Sequence, residues 1–507
     1  MPSLTRAARY VPLRAGLGAI LALGASVVAG YVATRSMALP LVGLVAAAGL
    51  LWAILRWNRG VFVALALLSI LNGIPGVDFS TLTTPGSFRP SDVAVGALVV
   101  ACAVWAIDWT PQHAVRPMAA PRAPYVGLAW RWALVFGGWW FFTFVRSTVF
   151  DTIPPLQALL FGRDFLYFAI LVPLLAAVPW TPTALRGLLV TLLLAGTVFA
   201  LASILGTTGV FDTSFITHPI LTASVSGLTR VYSFMNDLVM LLFVAGIGGA
   251  LLGRSRLEVT GGRLIALVAG TAFLLQLTRA AYVAVPLALA ITTGVWLYRG
   301  GATAARMRRT ILLGVVLVAV PLGIALITSP AAQTVQANAI TSRVQSGITE
   351  FQTKSATVGY RLNITHQMFY LLGNQWPIGL GFWHPSARYV TGLPDGTIRN
   401  PDVGVLNAVM TMGAIGAILL YLPLLYLVFR LPVGAGSGRE GAAPEWLRYG
   451  AMAWLLVVAF GSFTLITLFS VEGLTLLAIV LTVAARLFLR DSPQRRLPFG
   501  SVDSISA

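Results

Sequence analysis

Stretches of about 20 mostly apolar residues recur along almost the whole chain, each long enough to cross ~30 Å of hydrocarbon as a helix. No other feature narrows the fold as far, because a soluble surface cannot carry so many uninterrupted apolar faces. Such runs fall near 15–33, 37–55, 60–75, 91–109, 131–150, 161–179, 187–207, 232–252, 264–278, 280–298, 311–328, 403–429, 449–470 and 473–489. The expected fold class is all-α, a polytopic transmembrane helical bundle of about 12–14 spans with one long extracytoplasmic loop subdomain. Composition agrees: of 507 residues, 57% are hydrophobic and only 10% charged. The first apolar run, behind Arg6, Arg9 and Arg14, could be a signal peptide or a first span. It reads as the span, because no clean small-x-small cleavage site precedes Arg35 and the next apolar run follows after only a short turn.

The formal charge of +18 would point to nucleic acid in a soluble protein. In a membrane chain it sorts loops by side, since short basic loops resist translocation. With the N-terminus inside, most of the 34 Lys and Arg residues fall in cytoplasmic segments, and Arg343, Lys354, Arg361, Arg388 and Arg399 share one long outer loop. This gives N-terminal transmembrane helices over 1–328, an extracytoplasmic loop over 329–402, C-terminal helices over 403–489 and a cytoplasmic tail over 490–507. The expected location is the cytoplasmic (inner) membrane, multi-pass, with both termini cytoplasmic. Membrane lipids are expected partners and nucleic acid is not.

The long loop has internal structure. Tyr360, Ile364, Met368 and Leu371 recur at helical spacing opposite Arg361, Asn363 and Gln367, which predicts an amphipathic helix ending at Gly373-Asn374. Residues 376–383, Trp-Pro-Ile-Gly-Leu-Gly-Phe-Trp, follow as a turn-rich aromatic segment at membrane height.

Arginines at the outer ends of spans are the chemically informative residues, since a buried guanidinium costs several kcal/mol unless paired or solvated. Arg146 follows an aromatic span, Arg163 begins the next beside Asp164, Arg230 precedes the stretch 232–237, and Arg279 sits in 276–282. Any one of them alone reads as a snorkelling or locally paired residue. With Arg361 they form a cationic set suited to a multiply charged anion, because guanidinium grips phosphate oxygens bidentately. At a membrane surface the natural anion is a lipid-linked diphosphate. Among acids on that side, Asp237 is either a base or the ion-pair partner of Arg230 or Arg279. Asp402 is either a base or the N-cap of the next span. His384 is either a proton acceptor or an ordinary loop histidine. Neither the histidines nor the single Cys102 offers a metal-ligand pattern, so no metal or cofactor is expected.

Several of these stretches resemble the O-antigen ligase and O-antigen polymerase family of bacterial envelope polysaccharide assembly. Gly359-Tyr360-Arg361 with the Pro-x-Gly-x-Gly turn at 377–381 resembles the family's arginine-led loop helix and its turn. The stretch 407–416, with Gly413 and Gly416, resembles the span that follows the loop. Leu277-Thr278-Arg279-Ala280-Ala281 resembles a small-polar-Arg-small motif, and Arg230 with Phe234-Met235-Asn236 resembles an Arg before Phe-x-Asn. In the family's ligases a His-Asn pair precedes the Gly-x-x-Gly span, where this chain has Asp402-Val403; that departure leans toward a polymerase or another branch using a carboxylate. Peptidoglycan polymerases, which also use an extracytoplasmic aspartate, support Asp402 by analogy.

The resemblance implies an inverting, metal-independent membrane glycosyltransferase. It would move a glycan from an undecaprenyl-diphosphate donor to a glycan or lipid acceptor on the outer face. Arg279, Arg230 and Asp402 are the expected catalytic residues, and Arg361, Arg146, Arg163, Asp237 and His384 the expected substrate contacts. The alternative is a secondary transporter or flippase for a polysaccharide intermediate or small anion, which would place ionisable groups near the bilayer midplane. A purely structural scaffold ranks last.

Overall fold

The computed structural model describes residues 95–96, 98–99, 124–177, 182–213, 221–225, 228–232, 236–276, 279–300, 349, 365–382, 404–431, 444–463 and 471–488. The expected spans at 15–33, 37–55, 60–75 and 311–328, most of 91–109, most of the 329–402 loop and the 490–507 tail lie outside the described residues.

Within them the chain is a helical bundle plus one short hairpin. In order it runs α1 (Pro124–Val149), α2 (Pro155–Ala177), α3 (Pro182–Thr207), β1 (Leu221–Val225), β2 (Leu228–Tyr232), α4 (Asn236–Leu252), α5 (Arg256–Leu275) and α6 (Arg279–Gly300). Then come α7 (365–372) with a 3-10 turn at Gly373–Gln375, α8 (Gly404–Arg430), α9 (Glu445–Gly461) and α10 (Val471–Phe488). Among the described residues, five stretches are long and apolar enough to cross a membrane: Pro155–Ala177, Leu188–Thr207, Arg256–Leu275, Ala281–Tyr298 and Gly404–Arg430. The expected all-α polytopic bundle is therefore observed.

Several boundaries differ: α1, α2 and α5 begin six to eight residues before the expected 131, 161 and 264. The run read as a span from 232 onward opens instead with Tyr232 as the last residue of β2, which spans 228–232 and pairs antiparallel to β1 with Ala223 opposite Arg230, and its described helix begins at Asn236. Thr222, Val225, Thr229 and Val231 supply the β-branched side chains that favour a pleated ribbon over a helix there.

α4 is the centre of the bundle and is buried on every side, as a helix apolar all round should be. Glycines let its neighbours approach to backbone contact. A Cβ on Gly246 would stand 2.6 Å from Ala266 N of α5, and one on Gly248 would stand 2.7 Å from Trp446 O of α9. Elsewhere the surface keeps large exposed apolar side chains, such as Leu134 and Phe141 on α1 and Ile418 and Phe429 on α8, as a lipid-facing wall requires.

Antiparallel packing brings the starts of α4 and α8 and the finish of α9 to one end. Gly450 of α9 faces Ala245, and Trp454, one turn further, donates from Nε1 to Asp237 O at 3.0 Å, so α9 finishes where α4 starts. α8 begins there too, with Val405 N donating to Ser462 O at 2.9 Å. At the opposite end, Arg486 of α10 donates to Ala176 O of α2 at 2.7 Å.

Candidate functional site

The best-defined construction at that end is an interlock between the Gly-rich turn after α7 and a break in α8. Gly413 has φ 73° and ψ 176°, outside helical geometry, so the backbone groups on either side of it lose their helical partners. The turn replaces them. Leu380 N donates to Met410 O at 2.6 Å and Gly381 N to Thr411 O at 3.0 Å. In return, Ala414 N donates to Trp376 O at 2.9 Å and Ile415 N to Pro377 O at 3.2 Å. The carbonyls of 410 and 411 and the amides of 414 and 415 would have paired with each other in an unbroken helix. Met412 O is satisfied by Trp139 Nε1 of α1 at 2.8 Å.

The glycines are dictated by this contact. Gly379 (φ 76°) and Gly413 press backbone on backbone, and a Cβ on Gly379 would lie 2.9 Å from Met412 C. Gly381 (φ 100°) faces Ser147, whose Oγ accepts from Phe382 N at 2.6 Å. Phe382 is fully buried and sits against Gly162, where a Cβ would come within 2.8 Å of its ring, and against Trp140 and Phe165. α7 anchors the other side of the turn through Met368 and Leu372, which pack on Leu406 and Met410, while Phe369, Tyr370 and Trp376 stay exposed. The helix expected in this loop is thus present over 365–372, with Leu372 rather than Leu371 as its inner anchor.

Arg146 lies in the last turn of α1, and its guanidinium spans the same turn. Nη1 donates to Gly379 O and, at 3.3 Å, to Ile378 O, while Nη2 donates to Gln375 Oε1 at 2.7 Å. Expected from the sequence as a substrate contact, it positions the 375–379 backbone. Arg163 lies in the third turn of α2 rather than at its start, 6% exposed, with Nε 3.7 Å from Asp164 Oδ1. Asp237 is in the first turn of α4 and 4% exposed. Arg230 is placed by its backbone in β2, six residues before α4, and Arg279 opens α6 just after α5 ends at the buried Gln276. Arg361, Asp402 and His384 lie outside the described residues.

Asp151 is a site residue that the sequence pattern did not single out. It occupies the turn after α1, beside Thr152 with its positive φ of 55°. Burial raises its carboxyl above the ordinary value, and the Arg146 guanidinium lowers it in part. Its Oδ2 is enclosed against Gly381: a Cβ there would meet it at 2.9 Å.

Fold and site together define a polytopic helical membrane protein with a broken span locked by a re-entering turn. Residues 264–421 match the family model described as O-antigen ligase, which supports the O-antigen ligase and polymerase family and, with it, glycan transfer in polysaccharide biosynthesis. The match includes the opening of α6, α7 and its turn, and α8 through its break. No curated protein matches the chain.

Proposed function

We propose that the protein transfers or polymerises a glycan from an undecaprenyl-diphosphate donor onto a glycan or lipid acceptor, at the extracytoplasmic face of the cytoplasmic membrane. The observation that carries this reading is the family match over 264–421. Supporting it, the β2 strand bearing Arg230, the start of α4 with Asp237 and the start of α6 at Arg279 share the end of the bundle where the interlock sits.

The chemistry asks for charge stabilisation more than for covalent help. A diphosphate departs readily once its developing charge is held by preorganised donors, so Arg230 and Arg279 grip it and Arg361 adds a supporting contact. Attack by an acceptor hydroxyl at the anomeric carbon inverts that centre, and a carboxylate takes the hydroxyl proton, with Asp402 the residue the sequence offers. Arg146 and Arg163 serve as positioning groups. Asp237 orients a neighbouring arginine, and His384 contacts the acceptor.

The test is transfer by the full chain reconstituted in liposomes with an undecaprenyl-diphosphate oligosaccharide isolated from the source membranes, and with no ion gradient imposed. Arg279→Ala is expected to abolish product while the protein still inserts. Full activity in that variant, or product that appears only with a gradient, would overturn the reading.

A further inference from the structure

Asp151 is the one described carboxylate that the interlock places against its own glycine turn. Oδ2 is enclosed, and among the described residues no donor reaches it. An acceptor atom so placed carries the cost of desolvation without a compensating hydrogen bond. Such a group takes a proton of its own or a donor from water, a ligand or a residue outside the described ones. The Arg146 guanidinium beside it is committed to Ile378 O, Gly379 O and Gln375 Oε1, so it contributes charge and no hydrogen bond. Ser147 Oγ donates to Thr143 O and accepts from Phe382 N, and is likewise committed. Across from it, residues 373–382 and the part of α8 from 404 to 420 carry no titratable side chain, and the first charged residues of α2, Arg163 and Asp164, lie two turns into that helix. Among the described residues, Arg146 is therefore the charged group facing this carboxylate.

We propose that Asp151 is the acceptor-side carboxylate of the transfer reaction, receiving the proton of the attacking sugar hydroxyl. This rests on the glycan-transfer reading above and puts Asp151, rather than Asp402, in the base position. In the step, the hydroxyl oxygen forms its bond to the anomeric carbon as the bond from that carbon to the diphosphate oxygen breaks. The hydroxyl proton passes to the Asp151 carboxylate, and the electron pair leaves with the diphosphate. Two features suit the task. Enclosure makes the carboxylate a stronger base than a solvated one. The glycine at 381 keeps side-chain atoms away from it, and the Arg146 clamp fixes the turn on which the distance depends.

The experiment compares Asp151→Asn, Asp151→Glu, Asp402→Asn and Arg279→Ala in the liposome assay, reading transfer rate against pH, donor retention by undecaprenyl diphosphate, and melting temperature. Asp151→Asn is expected to retain the donor and to lose about 100-fold or more in transfer, the usual contribution of a positioned base. The fall in rate on the acid side is expected to disappear with it. Stability gives a second readout. A carboxyl raised in the folded state favours folding at low pH, and that contribution is lost as pH rises through its folded value, so Asn should flatten the pH dependence of melting. If Asp151→Asn melts early, Asp151→Glu decides: a slower rate with a shifted acid limb supports the assignment, and an unmoved limb overturns it. Transfer by Asp151→Asn within about threefold of the native rate, with Asp402→Asn inactive, overturns it as well, by the same scale of base contribution. Loss of activity in Arg279→Ala alone would leave glycan transfer standing and remove only Asp151; retained activity in all four would remove both.

Discussion

Replacing Gly413 by alanine should separate the turn from α8, and the cost can be worked from the interlock. A Cβ at 413 would overlap the Pro377 carbonyl and press on Ile378 C at 2.5 Å, atoms of backbone that no rotamer change can move aside. The local geometry, φ 73° and ψ 176°, adds strain of order 1–3 kcal/mol for any residue with a side chain. The variant's escape is to close α8 into a continuous helix, pairing 410 with 414 and 411 with 415. That recovers two hydrogen bonds inside α8 and releases Trp376 O, Pro377 O, Leu380 N and Gly381 N. Two bonds are then lost net, at about 0.5–1.5 kcal/mol each, and the Arg146 contacts are weakened with them. Strain retained or bonds lost, the expected destabilisation is about 2–4 kcal/mol. Denaturant unfolding of the purified protein in detergent measures it, with amide exchange at 376–381 and 410–415 as the local report. Gly138→Ala is the control: nothing lies within 4 Å of a Cβ there, and alanine in a helix gains about 0.5–1 kcal/mol. Gly413→Ala unfolding alongside Gly138→Ala, with protected amides at 380 and 381, would refute the interlock as drawn.

The other tests probe the groups that hold the same assembly. Arg146→Ala should raise amide exchange across 378–382 and lower stability by about 1–3 kcal/mol, the range for hydrogen bonds to a charged group. Arg146→Lys should restore only part of it, because a single ammonium cannot span Gln375 and two successive carbonyls in a planar fork. Trp132→Phe should cost about 1–3 kcal/mol, since Trp132 Nε1 donates at 2.7 Å to Leu419 O, a carbonyl whose helical partner is the nitrogen of Pro423. In a Pro423→Ala background the same tryptophan change should cost measurably less, and equal costs in both backgrounds would remove the proline from the explanation.

What the sequence makes legible follows the range of the forces involved. Hydrophobic runs report a one-dimensional property, so the expected 403–429 corresponds to Gly404–Arg430 within one residue, and 161–179 to Pro155–Ala177 within six. The hairpin was partly within reach: Ser226-Gly227 between two short β-branched stretches is a turn signal, obscured because the apolar run that follows is so strong. The break in α8 is a different matter. Its local sequence, 404–430, is largely apolar, with Asn407 and Thr411 before the break, and the helix yields at Gly413 where a segment 30 to 38 residues upstream supplies four replacement hydrogen bonds. Arg146 shows the same limit from the other side. Its charge and its place at the end of a span are readable, but its partners lie 229 to 233 residues away.

That division bears on how a cationic end of a membrane bundle should be interpreted. A guanidinium at a span terminus can meet an anion or replace missing backbone partners, and composition favours neither. Arg146 gives its Nη atoms to three acceptors from the chain itself. The same commitment isolates Asp151. A cation spent on carbonyls lowers the neighbouring carboxyl through space without donating to it, and burial then outweighs that influence. The interlock therefore does two things with one residue. It fixes the turn against the broken helix, and it leaves beside that turn a carboxyl whose Oδ2 no described residue partners.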